Sequence, residues 1–248
     1  MNVKPYKDDT RGRKEQVRKM FDNIAGRYDF LNHLLSFNMD KKWRKQLVDL
    51  IKSDLNDEAE NKKDLKILDV ATGTGDLAFE LSKDPRFRIA GLDLSWEMLK
   101  IATIKAKAKK NNIKFIHGDS ESLPFENNSF DVVTVGFGVR NFEDLKKGLK
   151  EISRVLKGGG KIYILEFSKP RKGIFSTLYG LYSSKILPYL ASVFGGERKA
   201  YNYLPESISE FPSGNEMLLE MQKAGVSFTE NIPLSMSIAT IYKGVVIK

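Results

Sequence analysis

The chain has 248 residues, 41% hydrophobic and 29% charged, enough for one α/β domain with decorations and its own core. It has no cysteine, which excludes disulfides, thiolate zinc sites and a cysteine nucleophile. A net charge of +9 permits attraction to nucleic acid or anionic lipid without choosing between them, and spread-out lysine is also a solubility device.

The stretch from Lys4 to Lys19 is polar and charged, with no apolar run of signal-peptide type, as expected of a cytoplasmic protein. Residues 10–53 are predicted helical, because Val17, Met20, Phe21 and Ile24, then Trp43, Leu47, Leu50 and Ile51, recur at helix spacing. After a charged connection from Asn56 to Asp64, the pattern alternates. Strands are predicted at Leu65–Val70, Phe87–Leu92, Ile113–His117 and Phe130–Val135. A further strand, Lys161–Phe167, follows the turn Gly158-Gly159-Gly160. Helices are predicted at Asp76–Lys83, Trp96–Lys110 and Phe142–Leu156. Such alternation means βαβ units and a parallel sheet covered by helices. Residues 168–212 break it with an aromatic-rich stretch. Its most apolar run, Ile186–Phe194, is interrupted by Pro188 and is far shorter than the roughly 20 residues of a membrane span. A helix from Gly214 to Ala224 and a hairpin of Ser227–Leu234 and Ser237–Val246 finish a mixed sheet of about seven strands.

The loop Asp69-Val70-Ala71-Thr72-Gly73-Thr74-Gly75 follows a strand and opens a helix, so its backbone can approach a ligand closely. Gly73-x-Gly75-x-x-Ala78 also satisfies a permissive dinucleotide fingerprint. Asp93 ends the next strand about 20 residues on, where a carboxylate can accept from both hydroxyls of a ribose. Extra carboxylates at Asp69 and Asp76 would repel a pyrophosphate but suit a cofactor carrying a sulfonium and an ammonium. Asp76 is equally read as a helix-start residue. The loop beginning at Asp119 lies beside the other two and can reach an adenine amino group.

The pattern Leu-Asp-x-x-x-Gly-x-Gly, the segment Gly118-Asp119-x-x-x-Leu123-Pro124-Phe125 and Leu156-Lys157-x-Gly159-Gly160 resemble the motifs of class I methyltransferases. Within that class the chain resembles, over nearly its whole length, the quinone-biosynthesis C-methyltransferases. The stretches that carry the likeness are Met20–Asp29, Phe137-Gly138-Val139-Arg140-Asn141, Leu165–Pro170 and Tyr203-Leu204-Pro205-Glu206-Ser207-Ile208. The resemblance implies a Rossmann-like, single-domain α/β fold of strand order 3-2-1-4-5-7-6. Its parts would be an N-terminal helical lid (10–55), a cofactor core (65–167), a substrate-binding insertion (168–212) and a C-terminal helix and hairpin (213–248). S-adenosylmethionine is the implied cofactor, contacted by Thr74, Asp93, Asp119 and Ser120. Asp69, Thr72, Gly73, Gly75 and Leu94 complete the expected binding set, and Gly136 stands where some members place a serine. The implied reaction methylates demethylmenaquinol or, in some members, a ubiquinol precursor. Rival readings are a methyltransferase for another small molecule or tRNA, a NAD-dependent oxidoreductase and a non-catalytic cofactor-binding protein.

Methyl transfer from a sulfonium is a direct displacement that requires a ring carbon aligned with the methyl group and water excluded. A reduced quinone supplies the nucleophilic carbon once a hydroxyl, of pKa roughly 10, loses its proton. Arg140 is expected to stabilise the phenolate and Asn141 to orient the ring oxygen or a water that accepts the proton. Arginine stays protonated, so a water or an Asp/His relay is preferred as base. In the lid, Tyr28 is a partner by resemblance and His33 by its chemistry, whereas His117 is read as structural. Phe175, Tyr179, Tyr182, Tyr189, Phe194, Tyr201 and Tyr203 are candidates to line a tunnel for a polyprenyl tail. Lys169, Arg171, Lys172, Arg198 and Lys199 would touch anionic headgroups at the inner face of the membrane. No metal and no nucleic-acid partner is expected, and a homodimer is compatible with the reading.

Overall fold

The computed structural model describes residues 3–56, 64–168 and 198–248. Helices α1 (Arg13–Leu35) and α2 (Met39–Asn56) come first, then β1 (Leu65–Val70), α3 (Asp76–Leu81), β2 (Phe87–Asp93), α4 (Trp96–Ala108), β3 (Lys114–His117), β4 (Phe130–Gly136), α5 (Leu145–Val155) and β5 (Leu156–Phe167). After the aromatic-rich stretch come α6 (Arg198–Glu210), α7 (Asn215–Lys223), β6 (Val226–Leu234) and β7 (Ala239–Val246). The seven strands order as β3-β2-β1-β4-β5-β7-β6. β1 to β5 run parallel and β7 antiparallel between β5 and β6. This is the expected mixed sheet and order.

Strand alternation sorts the core onto two faces. Leu68, Val70, Val133, Val135, Ile162 and Ile164 pack with Leu149 and Ile152 of α5 and Met217 and Met221 of α7. Leu65, Ile67, Val132, Tyr163 and Leu165 pack on the other side with Leu47, Val48 and Ile51 of α2 and Leu77 and Leu81 of α3. A separate small cluster, Tyr6, Val17, Met20, Leu31 and Tyr203, joins α1 to α6 above the strand ends. Chain order reverses between β1 and β4, and the crevice outside the carboxyl ends of strands at such a switch is where open α/β sheets bind ligands.

Three local expectations change. The continuous helical run over 10–53 breaks at Phe37 and Asn38, both in left-handed backbone with φ 51° and 59°. The helix expected from Phe142 begins at Leu145, because Asp144 is its N-cap and accepts from Lys147 N at 3.1 Å, while Phe142 is extended. The glycine turn at 158–160 is an excursion within β5. Phe130 pairs with Leu156 and Val132 already with Lys161, and the extra residues pass through Gly159 at φ 77°.

Candidate cofactor and substrate cleft

An open cleft lies over the ends of β1, β2 and β4. Its floor is bordered by Gly73, Asp93, Leu94, Ser95, Ser120 and Gly136, and its other side by Val17, Phe21 and Tyr28 of α1 with Phe137, Asn141 and Phe142. The 3₁₀ turn Val139–Asn141 can press against the glycine loop because Gly138 has no side chain: a Cβ there would lie 2.5 Å from Ala71 Cβ.

Asp93 organises the floor. Its carboxylate accepts from Gly73 N at 2.7 Å and Ser95 N at 2.8 Å, tying the end of β2 to the glycine loop. Burial raises its pKa, and the backbone donors partly offset that. Asp69 is placed differently from the expectation. It is fully buried and turned away from the cleft, accepting from Thr72 Oγ1 at 2.6 Å and Thr134 Oγ1 at 2.7 Å, and burial pushes its pKa up to about 6. A hydroxyl from the loop after β1 and one from the adjacent β4 claim both oxygens, so Thr72 likewise faces Asp69. Asp76 pairs with Lys105 at 2.6 Å and lies 3.5 Å from Arg44.

Other members of the expected set are held by α1. Thr74 is buried and donates to Asp29 of α1. Asp119 pairs with Lys14 Nζ at 2.8 Å, and the same ammonium reaches Glu121 at 2.9 Å. Ser95 donates to Asp22 at 2.6 Å. Of the expected cofactor set, then, Gly73, Asp93, Leu94, Ser120 and Gly136 border the cleft, whereas Asp69, Thr72, Thr74, Gly75 and Asp119 stand behind or beside it.

On the substrate side, Tyr28 and Asn141 border the cleft, while Arg140 is buried behind it. The Arg140 guanidinium donates through Nη1 to Glu166 at 2.7 Å and to the Phe137 carbonyl at 2.6 Å, and lies 5.4 Å from the centre of the Phe167 ring. Among the described residues its Nε has no hydrogen-bond partner. Burial, the largest single influence, would lower its pKa, but the charge and hydrogen bond of Glu166 together with Tyr28 and Tyr203 outweigh it and hold it above the ordinary value. Burial raises the Tyr28 phenol, with Arg140 and Arg44 opposing, so Tyr28 is a proton-bearing donor at neutral pH. Phe137 borders the cleft and is backed by Trp43 and Phe167 in an aromatic cluster, with Phe137 and Phe167 centred 4.6 Å apart.

His33 does not border the cleft. Its Nδ1 lies 2.8 Å from Asp40, and its Nε2 lies 3.7 Å from Asp76. These three groups come within 4.8 Å of one another, but Arg44 Nη1 stands 2.6 Å from Asp40 and 3.5 Å from Asp76, so a guanidinium supplies the positive charge there. His117 meets the Leu94 carbonyl at 3.0 Å and the edge of Trp96, a structural placement. Of the tail-tunnel candidates, Phe175, Tyr179, Tyr182, Tyr189, Phe194, Lys169, Arg171 and Lys172 lie outside the described residues, as do the side chains of Arg198, Lys199 and Tyr201. Tyr203 lies inside them and is bonded to Arg13 and Asn141. Arg13, Lys14 and Arg44 carry no motif signal, Asp29 and Glu166 sat in quoted motifs without an assigned contact, and Tyr203 was assigned only to the tail tunnel.

The residues fit an S-adenosylmethionine-type ligand. A side chain at Gly73 would meet no protein atom within 4 Å, on a residue that borders the cleft beside a buried carboxylate. Among the described residues no helix is long and apolar enough to cross a membrane. The model of the ubiE/COQ5 methyltransferase family matches residues 9–246. The demethylmenaquinone methyltransferase of Chlorobaculum tepidum is 43% identical over 229 residues, 92% of this chain and 91% of that protein. The ubiquinone/menaquinone biosynthesis C-methyltransferase UbiE of Geotalea daltonii is 43% identical over 234 residues, 93% of this chain and 96% of that protein. A putative S-adenosyl-L-methionine-dependent methyltransferase from Methanococcus maripaludis shares the fold, with TM-score 0.59 and 20% identity over 98% of this chain and 97% of that one.

Proposed function

Since the chain belongs to the ubiE/COQ5 methyltransferase family, we propose that it is an S-adenosylmethionine-dependent C-methyltransferase that converts demethylmenaquinol to menaquinol. The observation that carries this reading is the two-sided cleft. A carboxylate and backbone floor is suited to a nucleoside and amino acid, facing an apolar aromatic wall with one phenol and one amide. When bound, S-adenosylmethionine supplies an electrophilic methyl group on sulfur.

The chain's residues divide the remaining work. Asp93 accepts the ribose hydroxyls, and Ser120 and Leu94 border the adenine. Phe137, backed by Phe167, and Phe142 offer apolar surface to the quinol ring and exclude water from it. Asn141 and Tyr28 donate hydrogen bonds to a ring oxygen as negative charge grows there. Arg140, one layer deeper and paired with Glu166, lowers the energy of the same charge through its field. A water at the ring hydroxyl takes the proton, since Arg140 is held protonated and His33 stands away from the cleft. The polyprenyl tail leaves past the aromatic wall, and the positive net charge draws the protein onto anionic lipid.

The similarity to the Geotalea protein, whose name covers both quinones, supports methylation of the ubiquinone precursor 2-methoxy-6-polyprenyl-1,4-benzoquinol as a second reading. A methyl-transfer assay with demethylmenaquinol and with that benzoquinol, the products identified by mass, decides between them. Failure on both, or calorimetric binding of NADH with none of S-adenosylhomocysteine, defeats the proposal. Sedimentation with anionic and zwitterionic vesicles tests the membrane contact: equal binding to both would remove the electrostatic part.

A further inference from the structure

We propose that Arg13 and Tyr203 are positioning residues that decide which end of the Asn141 amide meets the quinol, an inference that rests on the quinol-methylating function above. Arg13 opens α1 and is buried, 3% exposed, yet among the described residues no carboxylate pairs with it. Its guanidinium is satisfied by a fan of oxygens instead. Nε donates to the Val3 carbonyl at 2.8 Å, Nη1 to the Asn141 carbonyl at 3.3 Å and to the Phe142 carbonyl, and Nη2 to the Arg140 carbonyl at 2.8 Å. Three successive carbonyls of the turn that holds Arg140 and Asn141 are thereby fixed to the first turn of α1.

The remaining bond runs from Nη2 to Tyr203 Oη at 2.9 Å, and Tyr203 Oη is 3.1 Å from Asn141 Oδ1. Arginine has only donors, so the phenol oxygen accepts from Arg13 and its hydrogen is free to go to Oδ1. That sets the polarity of the whole chain. The amide oxygen is consumed by Tyr203, and the two hydrogens on Nδ2 are what Asn141 has left to offer the cleft it borders. An amide has nearly the same shape in its two orientations, so only its partners choose between them. The choice matters here: a donor stabilises an oxygen gaining negative charge, and the flipped amide would present lone pairs to it.

Tyr203 is able to enforce the choice. It is 3% exposed and packed with Tyr6, Val17 and Met20, so its ring has one place to be. Burial also holds its phenol above the ordinary range, against the pull of Arg13, so it keeps its hydrogen at neutral pH. This gives the Tyr203–Ile208 segment, which contributes nothing to the cleft wall, a part in the chemistry.

The test is a double-mutant cycle on the full chain with demethylmenaquinol as substrate, using Tyr203→Phe, Asn141→Ala and both together. Tyr203→Phe should lower kcat about tenfold, the scale of one lost hydrogen bond. The KM for the quinol and the affinity for S-adenosylhomocysteine should stay within about twofold. The tenfold loss should vanish in the Asn141→Ala background, because a residue acting only through Asn141 has nothing left to position. Unchanged kcat in Tyr203→Phe overturns the proposal, as does a loss that persists in full without Asn141. Tyr203→Phe keeps the ring and the packing, so a loss in that variant reports the missing hydroxyl and not a failure to fold. A wild-type protein inactive on both quinols would overturn the functional reading and this inference with it. An active wild type with an indifferent Tyr203→Phe overturns this inference alone.

Discussion

The floor and the roof of the cleft are built by different means. On the floor, each group is delivered by the end of a strand, and its neighbours are mostly backbone: Asp93 reaches Gly73 N and Ser95 N. The roof is assembled from side chains of the first helix, the Val139–Asn141 turn and α6, through Arg13, Tyr203, Asn141 and the Arg140–Glu166 pair. A floor of this kind is stable once the sheet has formed. The roof exists only when three distant segments are in place together, so cofactor binding and turnover should fail separately.

The largest expected effect is on the roof. Arg140→Ala should lower kcat by roughly 100-fold or more, through loss of stabilisation of developing charge, while affinity for S-adenosylhomocysteine measured by calorimetry holds. Equal losses in both would erase the division between the two sides. Asp93→Ala attacks the floor and should weaken S-adenosylhomocysteine binding by about 100-fold, the scale of losing hydrogen bonds to a charged group. In that variant, turnover at saturating cofactor should fall far less.

Next in size is a pH effect at Asp69. Its folded pKa of about 6 lies above the ordinary 3.8, so the folded state binds the proton more tightly than the unfolded chain. Its contribution to stability is therefore most favourable below pH 4, declines as pH rises from about 4 to 6, and is constant above. The decline should be on the order of 2 kcal/mol relative to Asp69→Asn, read from urea midpoints at pH 4 and pH 7. A wild type that gains on the variant as pH rises would show that its carboxylate is stabilised by the fold. The smallest effect is expected at a tie between the two sides. Lys14→Met removes the partly exposed pairs to Asp119 and Glu121 and should speed S-adenosylhomocysteine release about 2- to 5-fold in stopped flow.

The same division explains what could be read in the sequence. The strands, their order by resemblance and the floor positions Gly73, Asp93 and Ser120 were legible, because strand alternation and a loop motif are local properties. Asp69 was legible as a position but not in its role: its second partner, Thr134, is 65 residues away on the adjacent strand. Arg140 and Asn141 were marked by the resemblance, but what holds them was not. Arg13 binds that turn across 127 to 129 residues, and an arginine at the start of a charged helix reads as one more solvated cation. Tyr203 was read as tunnel lining, because its aromatic neighbours in sequence hid a hydroxyl with a specific task.

Helix α1 is, mechanically, a beam resting on two kinds of support. Toward its carboxyl end it stands on ion pairs, with Asp29 held by Lys105 at 3.0 Å and His33 set among Asp40, Asp76 and Arg44. At its start it has the Lys14 pairs to Asp119 and Glu121, and beside them the Arg13 fan, which among the described residues contains no counter-ion. Added salt weakens attraction between charges far more than hydrogen bonds to buried carbonyls. Ionic strength therefore loosens the Lys14, Asp29 and Asp40 pairs along the beam and leaves the Arg13 fan in place, making that single residue the pivot.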